Sequence, residues 1–317
     1  MNRRMVVLYC VCTLLASWAI QLAGLRAVAD PSSPNAVPWH IAAMAVPGLV
    51  ALAFLALHPP ARRSMKWGPG NPWMLSLAVL IPTLGAFACV TLVLLLGWGT
   101  SGWFSFSLEG VSIAGGPWLL GLGAQSWPTF LANVALTGAA FAGLSSVVAL
   151  GEELGWRGFL QGHLIAQMGL ARGLTTLGLM WSFYHLPVLL GGYNYPEHPV
   201  LGALVLFPVA LIADSFFLAW LTLRARSFWP AALAHGAVNS IAEGVVADLR
   251  LVVPQLYLDL LRLGVAVAVG LLCWAALARR SPVAGAPGLA GAAPDRRPAR
   301  LPGVDPIEHR DATAALP

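Results

Sequence analysis

Long apolar runs constrain this chain's fold more than any other feature. They lie near residues 5–25, 41–58, 74–98, 129–151, 173–192, 200–223, 228–247 and 256–278. A helix needs about 20 mostly apolar residues to cross the hydrocarbon layer of a bilayer, and each run is close to that length. The runs are continuous rather than alternating, so a transmembrane β-barrel does not fit. Composition points the same way: 58% of residues are hydrophobic and 10% charged, against roughly 25% charged in a soluble domain. Mean hydropathy is +0.75. So few charges cannot cover a water-facing surface, which excludes a soluble enzyme, a nucleic-acid-binding module and a disordered protein. The expected fold is all-α, a polytopic bundle of about eight transmembrane helices whose first partner is the lipid bilayer.

The basic residues set the expected orientation. Arg3 and Arg4 precede the first run, and Arg62, Arg63 and Lys66 follow the second. Arg157 and Arg172 follow the fourth, Arg224 and Arg226 the sixth, and Arg279 and Arg280 the eighth, while the opposite loops hold Arg26 and Arg250. Positive charge stays on the cytoplasmic side, so a multi-pass protein with both termini in the cytoplasm is expected. A single lysine, Lys66, among 18 basic residues, together with abundant Ala and Gly, suggests a bacterial plasma membrane. The first run ends in Ala27-Val28-Ala29, which is similar to a signal-peptidase site. At about 20 residues it is longer than a signal peptide's apolar region, so an uncleaved span is expected. The stretch between about 99 and 128 carries Trp103, Phe104, Trp118 and Trp127 and suits the outer interface, where aromatic rings settle. Residues 279–317, rich in Pro, Ala, Gly and Arg, read as a disordered cytoplasmic tail. Cys10, Cys12, Cys89 and Cys273 lie in apolar stretches without ligand or disulfide spacing and read as packing residues.

Ionisable groups inside spanning segments cost about 2.5–3.5 kcal/mol each on insertion scales, which makes them functional candidates. The densest set is Gly151-Glu152-Glu153-Leu154-Gly155-Trp156-Arg157 at the cytoplasmic end of the fourth run. Glu153 and Arg157, four apart, can pair on one helix face. Glu152 is rotated by about 100° and faces a different neighbour, free for chemistry. The bland alternative is a solvated acidic helix end. In the fifth run, Pro187 denies the carbonyl of Phe183 a donor, so a kink is expected beside His185. That histidine could equally be a packing residue. His235, Asn239 and Glu243 fall near one stripe of the seventh run and must face protein or water. Asp214, in the sixth run, either lines the same cavity or pairs within the bundle. Asp259 and Arg262, three apart, are expected to neutralise each other. His163 and Gln161 are expected at the interface, and Gly151, Gly155 and Gly158 to permit close helix approach or a break.

Two chemistries fit these groups. Glu and His are adequate zinc ligands, but there is no H-E-x-x-H and no cysteine pair at ligand spacing, so zinc is not favoured and no cofactor is expected. Without metal, a carboxylate removed from water suits Glu152 to act as a general base on a water that His185 orients. His235 and Asn239 could then donate hydrogen bonds to the oxyanion formed on a peptide carbonyl. No G-x-S-x-G elbow and no nearby cysteine offers a covalent nucleophile.

Taken together, Glu152-Glu153-x-x-x-Arg157, His185 and His235-x-x-x-Asn239 resemble the CPBP family of intramembrane endopeptidases. That family joins type II CAAX prenyl proteases with bacteriocin-processing, immunity and abortive-infection (Abi) proteins. The elements occur in the family's order and on separate apolar segments, and Gly155-Trp156-Arg157-Gly158-Phe159-Leu160 is similar to bacterial members. The resemblance implies that Glu152 is the catalytic base, His185 its partner on water, and His235 and Asn239 the oxyanion donors, with Glu153 and Arg157 in support. Members were once read as metalloproteases and are now read as glutamic proteases. One departure is Trp181, where the family has Phe four residues before the histidine. The implied organisation is N-terminal helices and loops over 1–128, a catalytic core over 129–247, a last transmembrane helix over 248–278 and the tail over 279–317. The implied partners are the bilayer and a protein or peptide substrate, lipidated or not, with no nucleic acid. The competing readings are a non-catalytic member acting in bacteriocin immunity or regulation, and a proton-coupled transporter, which the lack of a visible inverted repeat disfavours.

Overall fold

The computed structural model describes residues 3–57, 65 and 67–279. The expected tail beyond Arg279, together with Arg62, Arg63, Lys66 and Arg280, lies outside the described residues. Helix α1 spans Arg3–Ala27, α2 Val37–Leu57 and α3 Pro72–Leu95. Pro72 opens α3 because the Asn71 side chain caps it, accepting from the Trp73 amide at 2.9 Å. Helix α4, Trp127–Glu153, continues through a π-helical segment, Leu154–Leu160, into α5, Gln161–Met168. Next come α6, Leu170–Tyr184, α7, Leu186–Leu190, and α8, Pro199–Leu201. A second π-helical segment, Gly202–Leu206, leads into α9, Phe207–Ala225. Helix α10, Trp229–Ala237, joins α11, Glu243–Ala247, through a third, Val238–Ala242. Helix α12, Gln255–Ala278, ends the described chain.

Among the described residues, six helices are long and apolar enough to cross a membrane. They are Arg3–Ala27, Pro34–Leu57, Pro72–Leu95, Trp127–Met168, Pro199–Ala225 and Gln255–Ala278. The expected runs at 173–192 and 228–247 do not form such helices. The first breaks at His185, as Pro187 dictates, and the second, although helical from Trp229 to Ala247, is made less apolar by His235, Asn239 and Glu243.

The region between α3 and α4 is a folded cap. Strands β2, Phe104–Phe106, β3, Gly110–Ile113, and β4, Gly123–Ser126, form an antiparallel sheet in the order β2-β3-β4. The rings of Phe104, Trp118 and Phe130 pack beneath it, with Trp118 buried. Strand β1, Gly99–Ser101, pairs with β5, Leu249–Leu251, tying the cap to the segment before α12.

Helices α2 and α4 pack closely at the end of α4. A Cβ placed on Gly151 would lie 2.6 Å from the Met44 carbonyl oxygen, and one on Gly155 2.6 Å from the Tyr9 hydroxyl and from Pro47. Only glycine lets α2 and α4 touch backbone to backbone here. Behind that contact the buried rings of Tyr9, Phe54, Trp156, Phe159, Trp181 and Tyr184 form one core. Cys89 and Cys273 are buried, and all four cysteines are free.

Candidate active site

The two adjacent glutamates end α4, just before its backbone widens into the π-helical turn, and both are buried. They have different neighbours. Glu153 Oε1 accepts from Arg157 Nη1 and from His235 Nδ1, each at 2.9 Å. The Arg157 guanidinium also stacks 4.1 Å over the Trp181 ring. Glu153 is thereby committed to a buried Arg–Glu–His group, as the i, i+4 spacing implied. Glu152 faces a cavity instead. Its Oε2 accepts from the indole nitrogens of Trp181 at 2.5 Å and Trp156 at 3.2 Å. Its Oε1 lies 4.0 Å from His185 Nε2.

His185 sits at the expected break, between α6 and α7. Its Nδ1 is 2.9 Å from the carbonyl of Trp181. A carbonyl only accepts, so Nδ1 carries the proton, and in the neutral ring Nε2 is a lone pair directed at Glu152. Two acceptors 4.0 Å apart are too far apart for a direct hydrogen bond and well placed to share the two protons of one water.

His235 and Asn239 lie one turn apart on α10 and the π-helical segment after it, and both line the same cavity. With Nδ1 on Glu153, His235 turns Nε2 toward the cavity side. The cavity has a volume of about 290 Å³ and apolar walls from α3, α9 and α12, including Ile81, Leu211, Phe217 and Val269. Asp214 also lines it. Loop residues Tyr193 and Tyr195 add phenols that burial pushes up to about 12, so both remain protonated donors at neutral pH.

Two expectations are corrected. Arg262 pairs with Glu243 rather than with Asp259, and Asp259 lies 2.8 Å from His198 and accepts from Gln255. The reason is that α11 brings Glu243 to Arg262 and the loop before α8 brings His198 to one Asp259 oxygen, while Gln255, a turn earlier on α12, takes the other. Gln161 is buried rather than interfacial, because it opens α5 directly after a π-helical turn whose residues are mostly buried. Among the described residues no three His, Cys, Asp or Glu side chains group closely enough to hold a metal ion, so no step is derived through one.

Residues 124–241 match the family described as type II CAAX prenyl endopeptidase, Rce1-like. The matched segment, little more than a third of the chain, is similar to that family. It holds Glu152, Glu153, Arg157, His185, His235 and Asn239, all the residues singled out for the site. No curated protein matches the chain. The Rce1-like segment brings with it a protease family and, with the apolar helices, a multi-pass membrane protein. Two residues of this Rce1-like site were not singled out for chemistry in the sequence: Trp156 and Trp181, whose indoles both donate to Glu152. Trp181 stands where the resembled family has Phe. The signal was there, since an indole has a donor that a phenyl ring lacks.

Proposed function

We propose that the protein is an intramembrane endopeptidase that hydrolyses a peptide bond with a water activated by Glu152 and His185. The observation that carries this reading is the 4.0 Å gap between Glu152 Oε1 and His185 Nε2 at the wall of the cavity. Glu152 can use Oε1 as the base because two indoles occupy Oε2. Glu153 does not take this role, because it does not line the cavity: its Oε1 holds Arg157 and His235, and its Oε2 is buried away from the lining.

The water donates one proton toward Glu152 and the other toward His185, and its oxygen attacks the substrate carbonyl. Glu152 takes the proton, and the carbonyl oxygen becomes an oxyanion. Asn239 Nδ2 and His235 Nε2 donate to it, the latter as an imidazolium whose charge Glu153 balances. Collapse breaks the C–N bond, and Glu152 returns the proton to the leaving amine. Arg157 holds Glu153 in place and acts through it. Positive charge at the ends of the spans supports cytoplasmic termini and a site near the cytoplasmic face. The substrate is a membrane-associated peptide that reaches the site through the apolar cavity; a prenylated one, as the family's description names, is one class to test. The catalytic core is assigned to 129–247, with the earlier helices and α12 closing around it.

Purified protein in detergent should cleave internally quenched transmembrane peptides, prenylated or not, at an unchanged rate in excess EDTA. Loss of turnover in EDTA with recovery on adding zinc would overturn the metal-free mechanism. Absence of turnover on every peptide would favour a non-catalytic role.

A further inference from the structure

The end of the helix that carries His185 is completed from outside the Rce1-like segment. A helix leaves its last four carbonyls without a following turn, and in α6 these belong to Trp181, Ser182, Phe183 and Tyr184. The carbonyl of Trp181 accepts from His185 Nδ1 at 2.9 Å, and that of Ser182 from the His185 amide at 3.0 Å. The usual donor to Phe183 would be residue 187, a proline without an N–H. The indole of Trp18 supplies a donor instead, at 3.0 Å. The side-chain amide of Gln21 donates to Tyr184 at 2.9 Å. Trp18 and Gln21 are three apart on α1, on one face. Gln21 is buried and lines the cavity, and the Trp18 ring packs against Phe183 at 4.8 Å.

We propose that Trp18 and Gln21 are positioning residues for His185. In an unbroken helix the His185 amide would donate to the carbonyl of Trp181. The imidazole would then have to share with the backbone the acceptor that fixes its proton on Nδ1. By receiving the carbonyls of Phe183 and Tyr184, α1 stabilises the break, and the break leaves Trp181's carbonyl to the ring. The lone pair of Nε2 then faces Glu152. Thus α1, outside the matched residues 124–241, sets the tautomer of a residue inside them. The effect on rate rests on the peptidase reading; the effect on the ring does not.

The test uses full-length protein in detergent, labelled with ¹⁵N in its histidine rings, with His185→Gln to assign the His185 signal. Trp18→Phe and Gln21→Met each remove one donor while keeping bulk, and each is read alone on its monodisperse fraction. The unsubstituted protein should show neutral His185 protonated on Nδ1 alone, and each variant a mixture of tautomers. On an internally quenched peptide, kcat should fall at least about tenfold at unchanged KM, with no further loss when Trp18→Phe is combined with His185→Gln. A single Nδ1–H tautomer and unchanged kcat in both variants would overturn the proposal. A tautomer mixture in the variants, with no peptide cleaved even by the unsubstituted protein, would support the positioning role and sink the peptidase reading.

Discussion

At the scale of single residues, adjacent glutamates in the same helix end up with opposite environments. Glu153 is enclosed by Arg157 and His235, while Glu152 keeps one oxygen open to the cavity. Breaking a buried ion pair by removing one partner costs about 3–5 kcal/mol, because the other charge stays buried. Glu153→Ala should therefore lower stability by about that amount, seen as a lower unfolding midpoint in a denaturant titration in detergent. Glu152→Ala should leave the midpoint much closer to that of the unsubstituted protein, since no cation is stranded. Equal losses in the two variants would mean that the division of labour is wrong. This division was legible from spacing alone, because a rotation of about 100° separates neighbours on a helix. The indoles that hold Oε2 of Glu152 were not, since Trp181 reaches it from a helix 29 positions away.

The elements owe their arrangement to where helices are interrupted. The proline-induced break at His185 could be read from Pro187, and a close approach or a break from Gly151, Gly155 and Gly158, though not that α2 is the partner. Gly151→Ala would set a methyl group 2.6 Å from the Met44 carbonyl oxygen, forcing α2 away from α4. Overpacking of this kind costs about 1–3 kcal/mol. It should also lower activity, because Glu152 follows directly. A stability and rate equal to those of the unsubstituted protein would show that the contact has slack. The π-helical segments could not be anticipated, because an extra residue shows in a sequence only by displacing an apolar stripe, and these runs are apolar on nearly every face. One of them lies directly before the buried Gln161, and another lies within the run at 228–247. Such widened turns gather at functional sites, and here one follows Glu153 and another contains Asn239.

In the whole molecule, the site is assembled from helices far apart in sequence. Helix α4 brings the carboxylates, the α6–α7 break brings His185, and α10 with its π-helical extension brings His235 and Asn239. Helices α3, α9 and α12 wall the cavity, and α1 closes the end of α6. The all-helical membrane class was legible because 58% hydrophobic residues cannot be buried in a soluble domain. The cap of strands was not, because its runs of three or four residues are too short to carry a period. The partners of Arg262 and Asp259 were misjudged because spacing along one helix says nothing about which other elements pack against it. The proposed central step is the activation of water at one carboxylate, and the turnover of Glu152→Gln is its sharpest test. With folding matched to the unsubstituted protein, kcat on a cleaved peptide should fall by about 10²–10⁴ while KM stays nearly constant. Turnover equal to that of the unsubstituted protein would contradict the account.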